Sequence, residues 1–354
     1  MRPPIDENTI WTIPYTSGTT GRPKGVMLSH RARLQNFQAK AEEFACFGVD
    51  DKFLSITPMN HGPGTSFALN ALVFGGSVEL LDSFDAQTVL QKLKFGGFSG
   101  IFTVPTNFHA FFALDAATLT RCRRPPLKAI ISNAAPLPQA LKPAIVDYFG
   151  PDVLHELYSS TETSLVCNLR PVDQLRKPGS VGLPFRRTSV RIVRDEGSHC
   201  DVEEVGELYA RSPYLFSGYW NLAAETAAAF DDGWVSVGDL ARRDAEGYIY
   251  IVGRKKDMVI SGGVNIYPRE IEDLLAQHPA VAEIAVIGVP DEKWGERLRA
   301  FIVSHDPLAI TPDSLRRFCA GRLAAYKLPR EIVFVSALPR DASGKVLKHE
   351  LRSR

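Results

Sequence analysis

Apolar runs alternate with turn-rich breaks through the first half of the chain. LKAIIS (127–132) reads as a short buried strand, NAAPLP as a turn, PQALKPAIVDYFG as a helix and VLHELY (153–158) as the next strand. Strand, loop, helix, strand predicts an α/β domain whose parallel-rich sheet is covered by helices. Such sheets hold ligands in the loops beyond the strand C-termini, here those after 10–15, 127–132 and 153–158. From 180 to 254 the texture changes. RIVRDEGSHCDV, GELYAR and GYIYIVGR predict short antiparallel strands with glycine turns, a small β subdomain. From 256 a third texture follows. YPREIEDLLAQHP spaces Ile271, Leu274 and Leu275 as one helix face. TPDSLRRFCAGRLAAYKLP opens with a Thr-Pro helix start and carries Leu315, Phe318, Cys319 and Leu323. VAEIAVIGVP and EIVFVSALP read as strands. The charged stretch GRKKD (253–257) divides the chain into a large domain, 1–255, and a small α+β domain, 256–354.

Composition narrows this picture. The chain has 354 residues, 45% of them hydrophobic, enough for two cores. A net charge of +1 gives no footing for nucleic acid or an anionic membrane surface. Cys46, Cys122, Cys167, Cys200 and Cys319 are scattered without a CxxC, which predicts reduced thiols in a cytoplasmic protein and no zinc site. MRPPIDENTI lacks the pattern of a signal peptide, and no uncharged apolar run reaches membrane-spanning length.

The chemistry starts at YTSGTTGRPKG (15–25), with three glycines, four Ser/Thr hydroxyls and a lysine. Converging backbone amides, hydroxyls and a point charge suit phosphate oxygens. A Walker A loop needs Ser or Thr after its lysine, and here Gly25 follows Lys24. A linker is the alternative. The loop, however, sits between a strand-like run (Ile10, Trp11, Ile13) and a helix-like one from Val26.

TSGTTGRPKG resembles the phosphate loop of the adenylate-forming superfamily of acyl-CoA synthetases, luciferases and peptide-synthetase adenylation domains. SNAAPLP (132–138) resembles its adenine segment and ELYSSTET (156–163) its Tyr-Gly-x-Thr-Glu motif. The stretch 233–272 is similar to the family's longest signature, and LPRDASGKVLK (338–348) to its C-terminal lysine motif. The match covers essentially the whole chain and is nearest to acyl- and aryl-CoA ligases.

The resemblance implies ATP, Mg2+ and CoA as cofactors. A carboxylate attacks the α-phosphate of ATP, and a thiol then displaces AMP. Thr16, Ser17, Gly18, Thr19, Thr20, Gly21 and Lys24 would hold the β- and γ-phosphates. Thr161 would touch the α-phosphate, and Glu162 would ligate Mg2+. Asn133, Ala134, Ala135, Pro136 and Tyr158 would line the adenine, with Ile251 packing on the nucleoside. Asp239 would accept from the ribose hydroxyls, and Arg254 would contact ribose or phosphate. Lys345 would bridge the carboxylate and the α-phosphate, with Lys348 as its decoy. His61 matches the gate between acyl pocket and thiol tunnel. Lys256 marks the hinge about which the small domain rotates. Gly262 and Gly263 would let the pantetheine arm pass close to the backbone. Taken singly, Glu162 reads as a helix-start carboxylate, Lys345 as a solvated lysine and His61 as a structural histidine.

Departures from the family pattern are also expected to matter. Asn133 and Ser159 replace the usual glycines, so each is expected to shift adenine contacts or to adopt a φ that glycine prefers. The family carries a domain-sized segment before the phosphate loop where this chain has fourteen residues. A truncated or split product, a natural short form, and half of a two-chain assembly are the alternatives; a homo-oligomer or a complementing N-terminal chain would be the partner. Phe67, Phe108, Phe111 and Phe112 are expected to build the acid pocket, and no Lys or Arg stands out as a clamp for a second carboxylate. That points to a fatty, aryl or steroid-like monocarboxylic acid. The other readings are an adenylate former that loads a carrier-protein thiol, and a partner-dependent nucleotide-binding chain without activity of its own.

Overall fold

A computed structural model of the chain describes residues 5–16, 23–60, 62–306, 310–340 and 346–352. The chain divides into a larger unit, 1–237 with 242–250, and a smaller one, 238–241 with 251–354. The division passes within strands Asp239–Arg243 and Ile249–Arg254.

The larger unit is built on a seven-stranded sheet. Its spatial order is Leu183–Pro184, Ser164–Leu169, Leu154–Ser160, Ala129–Ser132, Gly100–Thr103, Lys52–Ser55, Ser77–Leu80. The last five run parallel, and Ser164–Leu169 is antiparallel to the strand on either side of it. Gly100–Thr103 and Ala129–Ser132 are buried throughout, as central parallel strands covered on both faces must be. One face packs Leu54, Ile101, Ile130 and Leu154 against helices that carry Leu90, Phe108 and Phe149. The other packs Phe53, Phe102, Ile131 and Leu157 against helices α1 (His30–Phe44) and α2 (Gly62–Val73). A second, antiparallel set of strands, Ser189–Val193, Gly206–Arg211, Trp234–Val235 and Phe230–Asp231, forms the expected β subdomain.

Two expectations fail here. The helix does not start at Val26. Lys24–Ser29 is a strand, paired antiparallel with Ile10–Thr12, Tyr15–Thr16 and Gly218–Tyr219. Ser29 ends it by capping α1, its hydroxyl accepting from the Ala32 N–H at 3.2 Å. The 10–15 segment therefore belongs to a small antiparallel sheet rather than to the parallel one. In addition, Phe108, Phe111 and Phe112 belong to the core: Phe108 and Phe111 are buried and meet Phe149 edge-on at 6.2 and 6.1 Å. Burying three aromatic rings contributes more to the fold than to a ligand site.

The smaller unit centres on a long hairpin, Val281–Asp291 with Gly295–Ser304, to which Glu331–Phe334 adds in parallel. Pro268–Leu275 and Pro312–Cys319 place Ile271, Leu275 and Leu315 on the core with Val286 and Ile302. Thr311 and Ser314 form a reciprocal capping box at the second helix, which ends at Cys319, before Leu323. Among the described residues no helix is long and apolar enough to cross a membrane.

Candidate nucleotide and acid site

The ends of the segment expected to hold phosphate are fixed by strand pairing: Thr16 lies opposite Lys24, and Tyr15 opposite Gly25. A Cβ on Gly25 would come within 2.9 Å of Ile13 Cγ2, so only glycine permits this close approach. Ser17, Gly18, Thr19, Thr20 and Gly21 lie outside the described residues. The Lys24 ammonium sits 4.9 Å over the ring of Tyr219, whose hydroxyl donates to Glu162 Oε1 at 2.9 Å. Tyr219 thus links the proposed phosphate lysine to the proposed metal carboxylate. Burial, then the Glu162 charge, pushes its phenol well above the usual range. Sequence reading missed Tyr219, because a tyrosine in SGYW carries no motif of its own. Glu162 is itself buried and suits a hard cation shared with phosphate oxygens. Such a cation needs no cluster of three protein ligands, and none occurs among the described residues.

The adenine segment and the Thr-Glu motif leave neighbouring parallel strands, with Ser132 opposite Glu156. Their loops are therefore side by side. Asn133 Nδ2 donates to Ser159 Oγ at 2.7 Å, so the two departures from glycine are partners. Neither has a positive φ. The left-handed residue is Ala134, at φ 73°, whose N–H donates to Asn133 Oδ1 at 2.5 Å. Ala135 and Pro136 are exposed, and Tyr158 is half-buried. The segment ends on an anchor: Glu156 Oε1 accepts from the Leu137 N–H at 3.1 Å, and Oε2 meets Lys142 Nζ at 2.6 Å. Asn133→Gly and Ser159→Gly should each destabilise the chain, and the double variant should cost less than their sum by about 1 kcal/mol. Denaturant unfolding of the four proteins measures the coupling; additive losses would show that the bond contributes nothing.

Thr161 lines a cavity of 210 Å3 together with Asn133, Ser159, Gly62 and Phe67, so both motif loops open onto one space. His61, just before Gly62, lies outside the described residues. His155 is structural. It is buried beneath Phe44, its Nδ1 3.1 Å from Asn168 Nδ2, and burial pushes its pKa from 6.5 to about 4. Between those values the unfolded chain binds the proton and the folded chain does not, so stability falls as pH drops from 6.5 towards 4. The loss should reach about 3 kcal/mol. Urea titrations at pH 7, 5.5 and 4.5 should show a flatter profile for His155→Gln; parallel profiles would remove His155 as the cause.

In the smaller unit, Arg254 Nε pairs with Asp239 Oδ1 at 3.0 Å, so two residues assigned to the ribose lie together, and Asp239 is buried. Ile251 precedes them on the half-buried strand Ile249–Arg254. Lys256 sits in a single 3-10 turn, and burial lowers its pKa. Gly262 and Gly263, at φ 60° and 79°, form the two-residue turn between Val259–Ser261 and Val264–Ile266. A Cβ on Gly262 would strike Trp294 at 2.7 Å. Lys345 lies outside the described residues. Arg340 and Val346, on either side of it, pair as an isolated bridge. Lys348 pairs with Glu272 at 2.6 Å and is occupied structurally.

Two motif loops on one cavity, and a buried Glu162 tied through Tyr219 to Lys24, fit an adenylate-forming, acid–thiol ligase. ATP, Mg2+ and CoA are the cofactors of that class. The chain belongs to the AMP-binding enzyme family: the family's main domain matches residues 1–220, and the AMP-binding enzyme C-terminal domain matches residues 270–345. It is 36% identical to an indoleacetate–CoA ligase of Aromatoleum aromaticum over 99% of this chain and 68% of that one. It is 35% identical to a 2-succinylbenzoate–CoA ligase of Bacillus licheniformis over 96% of this chain and 69% of the relative. The o-succinylbenzoate coenzyme A synthetase of Bacillus subtilis, in complex with ATP and magnesium, superposes with a TM-score of 0.88 at 32% identity, covering 98% of this chain and 70% of that one.

Proposed function

We propose that the chain activates a compact carboxylic acid as acyl-AMP and passes the acyl group to CoA. The 210 Å3 cavity onto which Asn133, Ser159 and Thr161 open carries this reading. At 210 Å3 it falls below the roughly 300–1,000 Å3 of pockets that take drug-sized ligands, which favours a small acid over a long chain or a steroid. Relatives named for indoleacetate and 2-succinylbenzoate support a compact acid.

A carboxylate oxygen attacks the α-phosphorus, the bond to the β-phosphate breaks, and pyrophosphate leaves with the electron pair. The thiol sulfur then attacks the acyl carbon, and AMP leaves. Both steps rest on positioning and charge neutralisation more than on a base. Bound at Glu162, Mg2+ would neutralise phosphate charge. Tyr219 holds that carboxylate in place, Lys24 and Thr16 frame the polyphosphate, and Asp239 with Arg254 takes the ribose. Lys345 bridges the reacting groups, His61 gates the thiol, and Lys256 is the hinge. On the smaller unit a 320 Å3 cavity beside Gly262 is walled by Trp294, Tyr326, Arg316 and Arg330. Its aromatic faces and guanidiniums suit the nucleotide part of CoA.

The test is acid-dependent pyrophosphate release by the purified chain, followed by AMP release on adding CoA. CoA consumption supports CoA as acceptor, and release only with a carrier protein supports the second acceptor. Glu162→Gln should lower turnover at limiting Mg2+ by about 10- to 100-fold, in line with loss of a charged ligand. An unchanged Mg2+ dependence would take Glu162 out of the metal site.

A further inference from the structure

The acid cavity carries one buried and one half-buried cation that the reaction as described does not use. Arg33, Asn36 and Lys40, on one face of α1, line its wall. Lys40 is 1% exposed, and its ammonium donates to Ser66 Oγ at 2.6 Å and to the Ser66 carbonyl at 3.2 Å. The rings of Phe67 and Phe37 lie 4.4 and 5.0 Å from it. Arg33 Nε donates to Thr12 Oγ1 at 3.0 Å. Among the described residues neither cation has a carboxylate partner. Asn36 gives its amide N–H to Ser164 Oγ at 2.7 Å and leaves a buried Oδ1 without a partner.

A desolvated ammonium is ordinarily compensated by a counter-charge, and a hydroxyl, a carbonyl and two ring faces supply none. Burial accordingly holds Lys40 well below the usual lysine range and pushes Arg33 down to about 10. A core lysine without function would carry a carboxylate, as Lys142 carries Glu156. Lys40 and Arg33 face a cavity instead.

We propose that Lys40 and Arg33 bind a second carboxylate on the acid substrate, so that the chain selects dicarboxylic acids. The acid spans the cavity. One carboxylate stands at Thr161 for adenylation, and the other is paired with the two cations of α1. The charge that burial leaves unmatched is then matched only by the right substrate, and an acid with an apolar end leaves it unmatched. This rests on the ligase reading for which carboxylate reacts, but not for binding.

The experiment compares matched acids by thermal unfolding and calorimetry with Mg·ATP. The probes are butanedioate, pentanedioate and hexanedioate against butanoate, pentanoate and hexanoate, and 2-carboxyphenylacetate against phenylacetate. At least one diacid should bind about tenfold or more tightly than its monoacid. Lys40→Met, which keeps the length and removes the charge, should reduce that ratio to below about threefold. Arg33→Gln should reduce it as well and serves if Lys40→Met does not fold. Ratios within threefold for every pair in the wild type, or a ratio unchanged in both variants, overturn the proposal. Diacid-selective binding without pyrophosphate release would keep the proposal and sink the ligase reading. Turnover of monoacids with no diacid preference would do the reverse.

Discussion

Replacing Lys345 with alanine should lower acyl-AMP formation by about 100- to 1,000-fold, the usual effect of removing one group aimed at developing charge. Thioester formation from supplied acyl-AMP should stay within about threefold of wild type, because the proposed amine acts between carboxylate and α-phosphate, a contact needed only before acyl-AMP exists. Pre-steady-state measurement of each half-reaction separates the two. Equal losses in both would show that Lys345 acts on folding or on the thiol step. Lys348→Ala is the informative control. Lys348 pairs with Glu272, whose Oε1 also accepts from the Val286 N–H at 2.6 Å. Its loss should lower stability and spare the adenylation rate constant.

The second large effect is structural. Glu156→Gln should destabilise the larger unit by about 3–5 kcal/mol, since it leaves the 1%-exposed Lys142 buried without its counter-charge. Against total stabilities of about 5–15 kcal/mol this is a severe loss. Changing both partners, Glu156→Leu with Lys142→Met, should recover much of it, because the orphaned charge is then gone. Denaturant midpoints for the two variants decide. A double variant no better than Glu156→Gln would mean that orphaning the Leu137 N–H, which glutamine can still satisfy and leucine cannot, costs as much as the unpaired ammonium. Since Leu137 ends the adenine segment, ATP affinity should fall in Glu156→Gln even where the protein remains folded.

Much of this molecule was legible in its sequence, for reasons that differ by element. The buried parallel strands announce themselves as apolar runs between turns. The strand Lys24–Ser29 reads as a helix start because Val26, Met27 and Leu28 are consecutive apolar residues, which either element accommodates; only the Ser29 cap discriminates. Phe108 and Phe111 looked like pocket residues because an aromatic row has the same spelling in a core and in a ligand wall. Tyr219 was silent, as its role depends on a carboxylate 57 residues away. The cations of α1 were hidden by their own pattern. Arg33, Asn36 and Lys40 recur at helical spacing, and a polar stripe at that spacing reads as a solvated face. Only the fold turns that stripe inward.

The hydrogen bond between Asn133 and Ser159 also constrains how such a sequence can change. Descent from a chain with glycine at both places runs through an intermediate carrying one polar side chain without its mate, beside the cavity. Either order of substitution meets that disadvantage, and the second substitution relieves it. The two positions are therefore expected to change together across a lineage, and a protein engineer who reverts one alone will see a defect that neither residue's own chemistry explains.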